Sequence, residues 1–115
     1  MRKLFLTTSA ALFVIASAPA AMSAEPIVGN WKTQSGETAA ISKCGGSFCI
    51  KLKTGTYAGK RIGKLQGSGA DYTGTVTDPE DEKEYTGSAT VGAKSMKLKG
   101  CALKIFCKTQ NWKRL

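Results

Sequence analysis

Four cysteines, Cys44, Cys49, Cys101 and Cys107, are the residues of this chain best suited to chemistry, and they fall into two short-range pairs. The first pair brackets Gly45-Gly46-Ser47-Phe48; the second brackets Ala102-Leu103-Lys104-Ile105-Phe106. Thiols in this number can ligate zinc, act as nucleophiles or oxidise to disulfides. The spacers are wide for a tetrahedral zinc site, and the chain has no histidine, so His-ligated zinc and imidazole acid–base catalysis are excluded. Asp78, Glu80, Asp81, Glu82 and Glu84 form one acidic cluster. It lacks the glycine and terminal glutamate spacing of a calcium loop and reads as a solvated turn. Gly67 and Gly69 precede no helical stretch and are not a phosphate loop. No nucleophile stands beside a base. The expectation is a non-enzyme with no catalytic residues, no metal and no cofactor.

Disulfides need an oxidising compartment, and the N-terminus supplies a route to one. Arg2 and Lys3 open a basic start, Leu4 to Ala18 form an apolar stretch, and Pro19 breaks it ahead of Ala20, Ala21, Ser23 and Ala24. This is the layout of a secretory signal cleaved after Ser23 or Ala24. Thr7, Thr8 and Ser9 dilute the apolar run, which disfavours a retained membrane anchor, so no transmembrane segment is expected after cleavage. Removing residues 1–24 takes away two cations and lowers the formal charge from +9 to +7. Residues 25–115 then make one domain whose core is small, and each short disulfide loop contributes about 2 kcal/mol. The setting read from these features is periplasmic or secreted.

The exported part has no helical periodicity. Short alternating runs separated by Gly, Ser, Asp and Pro predict eight strands, at about 27–33, 38–44, 48–54, 62–67, 71–77, 84–91, 94–101 and 105–114. The fourth is the least regular, because Gly63, Gly67 and Gly69 interrupt it. Alternation assigns faces. Phe48, Ile50 and Leu52 oppose Cys49, Lys51 and Lys53; Met96 and Leu98 oppose Lys97 and Lys99; Tyr72, Gly74 and Val76 oppose Thr73, Thr75 and Thr77; Tyr85, Gly87, Ala89 and Val91 oppose Thr86, Ser88 and Thr90. One apolar face and one Lys/Thr face, repeated with hairpin-length connections, predict an all-β fold: a small eight-stranded antiparallel up-and-down barrel that closes on itself and removes its edges.

That topology decides the cysteine pairing. The turn between strands two and three lies at one end of the barrel, and the turn between strands seven and eight at the other. Cross-pairing would span about 20 Å, whereas bridged Cα atoms sit about 4.4–6.8 Å apart. The expected bridges are therefore local, Cys44–Cys49 and Cys101–Cys107. If Cys107 faces outward, then Phe106, Lys108, Gln110, Trp112 and Arg114 face inward. A cation and an amide inside a barrel line a wet or ligand-holding cavity, join a polar network, or are placed elsewhere by a register shift, since unpaired burial costs several kcal/mol. Tyr72, Tyr85, Lys108 and Gln110 are the candidate cavity lining, with Gly74, Gly87 and Ala89 read as leaving space on the inner wall.

Several motifs together resemble a known family. Gly29-Asn30-Trp31 opens the chain; Cys44-Gly45 and Cys49 follow; Asp78-Pro79 precedes Lys83 and Tyr85-Thr86-Gly87; Gly100-Cys101 leads to the terminal run from Cys107 to Arg114. This set resembles the exported bacterial DUF2147 family, a resemblance that implies a lipocalin/calycin-like barrel and brings no established activity. Ile50 and Glu82 stand where the family commonly has glycine, Tyr72 where it often has tryptophan, and residues 54–62 are short for the family. The resemblance further implies a barrel floor in which a first-strand tryptophan stacks under a last-strand arginine. Those places fall to Trp31 and Arg114, with Trp112 alongside.

Three functions fit these readings. A small apolar or amphipathic ligand could occupy the barrel. Small exported barrels also include inhibitors of proteases and lysozymes, so a protein partner could be met through residues 54–61 or the tail Glu25–Val28. The basic surface, Lys51, Lys53, Lys97 and Lys99, could hold anionic envelope components. Nucleic acid is not expected as a partner, because export removes the target and no aromatic platform is present.

Overall fold

The computed structural model describes residues 25–103 and 105–115. The export segment read in residues 1–24 lies outside the described residues, as does Lys104. Eight strands follow in order: β1 (Gly29–Lys32), β2 (Thr38–Cys44), β3 (Ser47–Leu52), β4 (Arg61–Ser68), β5 (Asp71–Thr77), β6 (Glu84–Val91), β7 (Ser95–Ala102) and β8 (Phe106–Arg114). Each pairs antiparallel with the next, and β8 returns to β1, so the sheet closes into the expected up-and-down barrel. Closure rests on two residue pairs, Trp31 with Arg114 and Lys32 with Lys113.

Strand ends fall within two residues of the alternation pattern. β3 stops at Leu52 because Thr54 serves the next ladder position with its side chain: Thr38 N–H donates to Thr54 Oγ1 at 2.8 Å. The irregular fourth run is a full eight-residue strand. Its glycines are demanded by packing. Gly67 sits at a φ of 148°, and a Cβ there would meet Tyr72 Cα at 2.9 Å, a close approach that only glycine allows. At Gly63 a Cβ would meet Ile50 Cδ1 at 2.8 Å, beside the register shift between Ile50 and Lys51.

Both disulfides are local. Cys44–Cys49 spans a Cα separation of 5.8 Å at the β2–β3 turn, and Cys101–Cys107 one of 4.0 Å across directly paired residues of β7 and β8. The second separation is short because the pair occupies a non-hydrogen-bonded site of the ladder, where opposing Cα atoms approach most closely. The two staples stand at opposite ends of the barrel, as the strand order requires.

Inward-facing residues make one core. Trp31, Ile41, Ile50, Leu65, Tyr72, Met96 and Trp112 are its largest fully buried members on the strands, and Ile27 joins them from the N-terminal segment. The inner-wall glycines do not leave room, contrary to the expectation. Val76 side-chain carbons occupy the place of a Cβ at Gly87, at 2.9 Å, and crowd Gly100 at 3.2 Å; at Gly74 the backbone of β4 itself is in the way. These glycines let neighbours close in.

Candidate functional site

The up-and-down order sends the β1–β2, β3–β4, β5–β6 and β7–β8 connections to one end of the barrel. The N-terminal segment, the remaining three turns and Leu115 gather at the other. The two ends are built differently, and that difference creates the site.

The second end is shut. Arg114 lies over the Trp31 indole with its guanidinium carbon 4.2 Å from the ring centroid. It also donates to the carbonyls of Pro26, Val28 and Ala93. Trp31 Nε1 donates to Ile27 O at 2.9 Å, and Ile27 is fully buried. The segment Glu25–Val28, considered above as a tail free to reach a partner, is instead laced across the floor by these bonds.

Tyr72 belongs to this shut end and not to a cavity lining. Its position at the start of β5 puts it one ladder step from the β4–β5 turn, where it packs edge-on against Phe48 with centroids 5.4 Å apart. Its hydroxyl lies 3.5 Å from Glu25 Oε2. Burial, and secondarily the Glu25 carboxylate, push the phenol above its ordinary value. The folded state therefore binds this proton more tightly than the unfolded chain does. The resulting stability is complete below the unfolded value near pH 10 and is lost as pH rises through the raised one. Urea midpoints are expected to fall above about pH 10, and Tyr72→Phe is expected to flatten part of that fall. Superimposable pH profiles for the two proteins would show that Tyr72 is not its source.

The first end is open. A cleft of about 380 Å³ enters the barrel there. Leu52, Ile62, Val76, Leu98 and Trp112 line its apolar depth, and Tyr57 and Tyr85 form part of its wall. Thr33, Ser35 and Glu37 of the β1–β2 turn, and Asp78, Pro79 and Glu80 of the β5–β6 turn, lie around it together with Lys108 and Gln110. Three of the four expected lining residues, Tyr85, Lys108 and Gln110, thus converge on the cleft. Lys108 and Gln110 point inward yet stay exposed, because the wall is open at their level. They need no buried partners. Gln110 Oε1 accepts from Trp112 Nε1 at 2.9 Å, which holds the indole in the cleft. Trp112, read above as part of the floor, lines the cleft instead, because it lies two residues from Arg114 toward the open end.

The rim is ordered by local bonds. Thr33 Oγ1 and Ser35 Oγ both donate to Glu37 Oε1, at 3.2 and 2.6 Å, while Glu37 N–H donates back to Thr33 Oγ1 at 3.1 Å. Glu80 N–H donates to Asp78 Oδ1 at 2.9 Å. Lys60 of the β3–β4 loop pairs with Glu82 of the β5–β6 turn at 2.6 Å, tying two rim loops together and lowering the Glu82 pKa. Glu82 holds a φ of 59°, the left-handed conformation that glycine adopts freely. Here glutamate takes the same backbone form and gains the link to Lys60.

The rim residues of the β1–β2, β3–β4 and β5–β6 connections escaped the alternation pattern, since turns carry no period. Strand order alone would have grouped them, because every second connection of an up-and-down barrel shares an end. The basic residues are dispersed as well. Lys51 lies on β3 and Lys53 just beyond it, four strands around the barrel from Lys97 and Lys99 on β7, so these four do not form one patch. Among the described residues no cluster of His, Cys, Asp or Glu is arranged to hold a metal ion.

Fold and cleft define a small disulfide-stapled β-barrel, closed at one end and open at the other. The chain belongs to DUF2147, a family of uncharacterized proteins conserved in bacteria, whose family model matches residues 52–114. The match runs from the last residue of β3 to the last of β8 and takes in most of the cleft lining. No curated protein and no solved structure matches the chain.

Proposed function

We propose that the protein binds one small amphipathic molecule in the open end of its barrel, without transforming it, in the periplasm or outside the cell. The observation that carries this reading is the cleft: about 380 Å³, apolar in its depth and polar at its rim. That volume lies in the range of about 300–1,000 Å³ typical of small-molecule sites, which share this arrangement of apolar walls and a few oriented polar groups. A sealed core would have served stability better, since an unfilled barrel end forfeits packing. Binding fits the cleft better than catalysis does, because the rim hydroxyls of Thr33 and Ser35 are tied to Glu37 and no imidazole is present to activate them. Two disulfides in a bacterial chain support an oxidising, exported setting.

Charge narrows the ligand. Glu37, Asp78 and Glu80 face Lys108 around the opening, so a neutral or cationic head group is favoured over an anionic one. The neutral fluorophore N-phenylnaphthylamine is expected to bind saturably. Leu98→Trp, which fills the cleft from its wall, is expected to weaken it at least about tenfold, or 1.4 kcal/mol. Native mass spectrometry of the purified protein is expected to show a bound small molecule that the variant lacks. Equal probe binding by the two proteins, or none by either, would remove the cleft as a binding site.

A further inference from the structure

β8 has nine residues and β1 has four, and the barrel closes through only two pairs between them. The rest of β8 runs on toward the open end beside β7, to which it stays paired as far as Phe106. Among the described residues no strand lies along its other edge there. Alternation shows which groups are left. Arg114 N–H turns toward β7, donating to Lys94 O, so the N–H and C=O of Cys107, Thr109 and Asn111 turn the other way. Gln34 Oε1 accepts from Asn111 N–H at 2.9 Å, one side chain standing in for a missing strand. Among the described residues no strand pairs with Cys107 or Thr109 on that side.

A second, independent feature lies on the outer face of the same seam. Lys32, Lys97, Lys99 and Lys113 all face outward from β1, β7 and β8, and all are exposed. Lys32 and Lys113 are directly paired, a like-charge opposition that destabilises a sheet. Among the described residues the one ion pair is elsewhere, between Lys60 and Glu82. No outward-facing position of these three strands carries an acid. Beyond the charges, at the end of the free edge, Leu103, Ile105 and Phe106 are 81%, 76% and 68% exposed.

We propose that the free edge of β8 at Cys107–Asn111 takes up an extended acidic peptide segment of a partner protein as an added strand. Its backbone would pair with Cys107 and Thr109, its carboxylates would face the lysines, and an apolar residue would rest on the exposed side chains of Leu103, Ile105 and Phe106. Strand addition of this kind draws affinity from main-chain bonds and specificity from alternate side chains. The charge pattern selects an acidic strand over a second copy of this chain, whose own β8 and β7 would bring Lys113, Lys97 and Lys99 against a surface already positive.

The test uses a fluorescent peptide of alternating glutamate and valine, titrated onto the protein at low salt. Saturable binding is expected, with amide hydrogen exchange slowed at Cys107 and Thr109. The same peptide N-methylated throughout keeps its charges but cannot pair, and is expected to bind at least about tenfold more weakly. Thr109→Pro removes an N–H that serves no existing ladder bond, a place where an edge strand tolerates proline. It is expected to reproduce the loss with an unchanged near-ultraviolet circular dichroism spectrum. Lys97→Glu with Lys113→Glu is expected to weaken binding by a similar factor. Equal binding of the methylated peptide would reduce the seam to an anion-attracting surface and overturn the proposal. So would the absence of binding at millimolar peptide, or self-association that assigns the edge to a second copy.

Discussion

Trp31→Ala is expected to destabilise the protein by about 3–5 kcal/mol, the range for deleting a fully buried large aromatic. Trp31 has no exposed surface, so the loss of its indole leaves a cavity in the buried core. Two further interactions go with it. Ile27 O loses the donor that reaches it at 2.9 Å, and the Arg114 guanidinium loses the ring that it covers at 4.2 Å. Domains of this size have roughly 5–15 kcal/mol in total, so the substitution removes a large share of it. The N-terminal segment that Arg114 and Trp31 hold should then become accessible to protease. Urea denaturation at neutral pH checks the magnitude. A loss below about 1.5 kcal/mol would mean that the shut end is not where stability is concentrated.

Gly74→Ala is expected to cost about 3 kcal/mol, although it adds a single methyl group to a strand. A Cβ at Gly74 would collide with the Lys64 carbonyl and lie 2.9 Å from Leu65 Cα. Both are backbone atoms of the neighbouring strand, so no side-chain rotation relieves the contact. β4 and β5 must separate, which weakens the six-pair ladder between them. An alanine at exposed Gly46, where a Cβ meets nothing within 4 Å, serves as the control and is expected to change stability by less than about 0.5 kcal/mol. If the two substitutions prove equally mild in thermal melts, the close approach of β4 to β5 is not a requirement of the fold.

Much of the barrel is legible in the sequence. Period-two alternation is a local property, and it placed all eight strands and assigned their faces correctly, including the inward turn of Lys108, Gln110 and Trp112. Local disulfides follow because the β2–β3 and β7–β8 turns lie at opposite ends. Depth along the barrel was harder to read. Tyr72 and Tyr85 share the inner face and begin neighbouring strands, yet antiparallel neighbours begin at opposite ends. One is therefore core and the other cleft wall. The floor that the resemblance implied for Trp112 is displaced for the same reason of depth, since Trp112 lies toward the cleft. The inner-wall glycines misled for another reason: a missing side chain can mean free space or a close neighbour, and only the packing of Val76 and of the β4 backbone distinguishes the two.

The two cysteine pairs were correctly read as staples, because a bridge across five or six residues answers to a single hairpin and needs nothing remote. The number of strands, the polarity of each face and the pairing of the cysteines were all determined by the sequence itself, through contacts between near neighbours. Tertiary structure alone decided how far the interior is filled, where the cleft begins and which strand edge is left over. Each of these depends on closure, where a four-residue β1 must meet a nine-residue β8. The mismatch exposes one edge of β8 beside the open end, and no pattern within either strand records it.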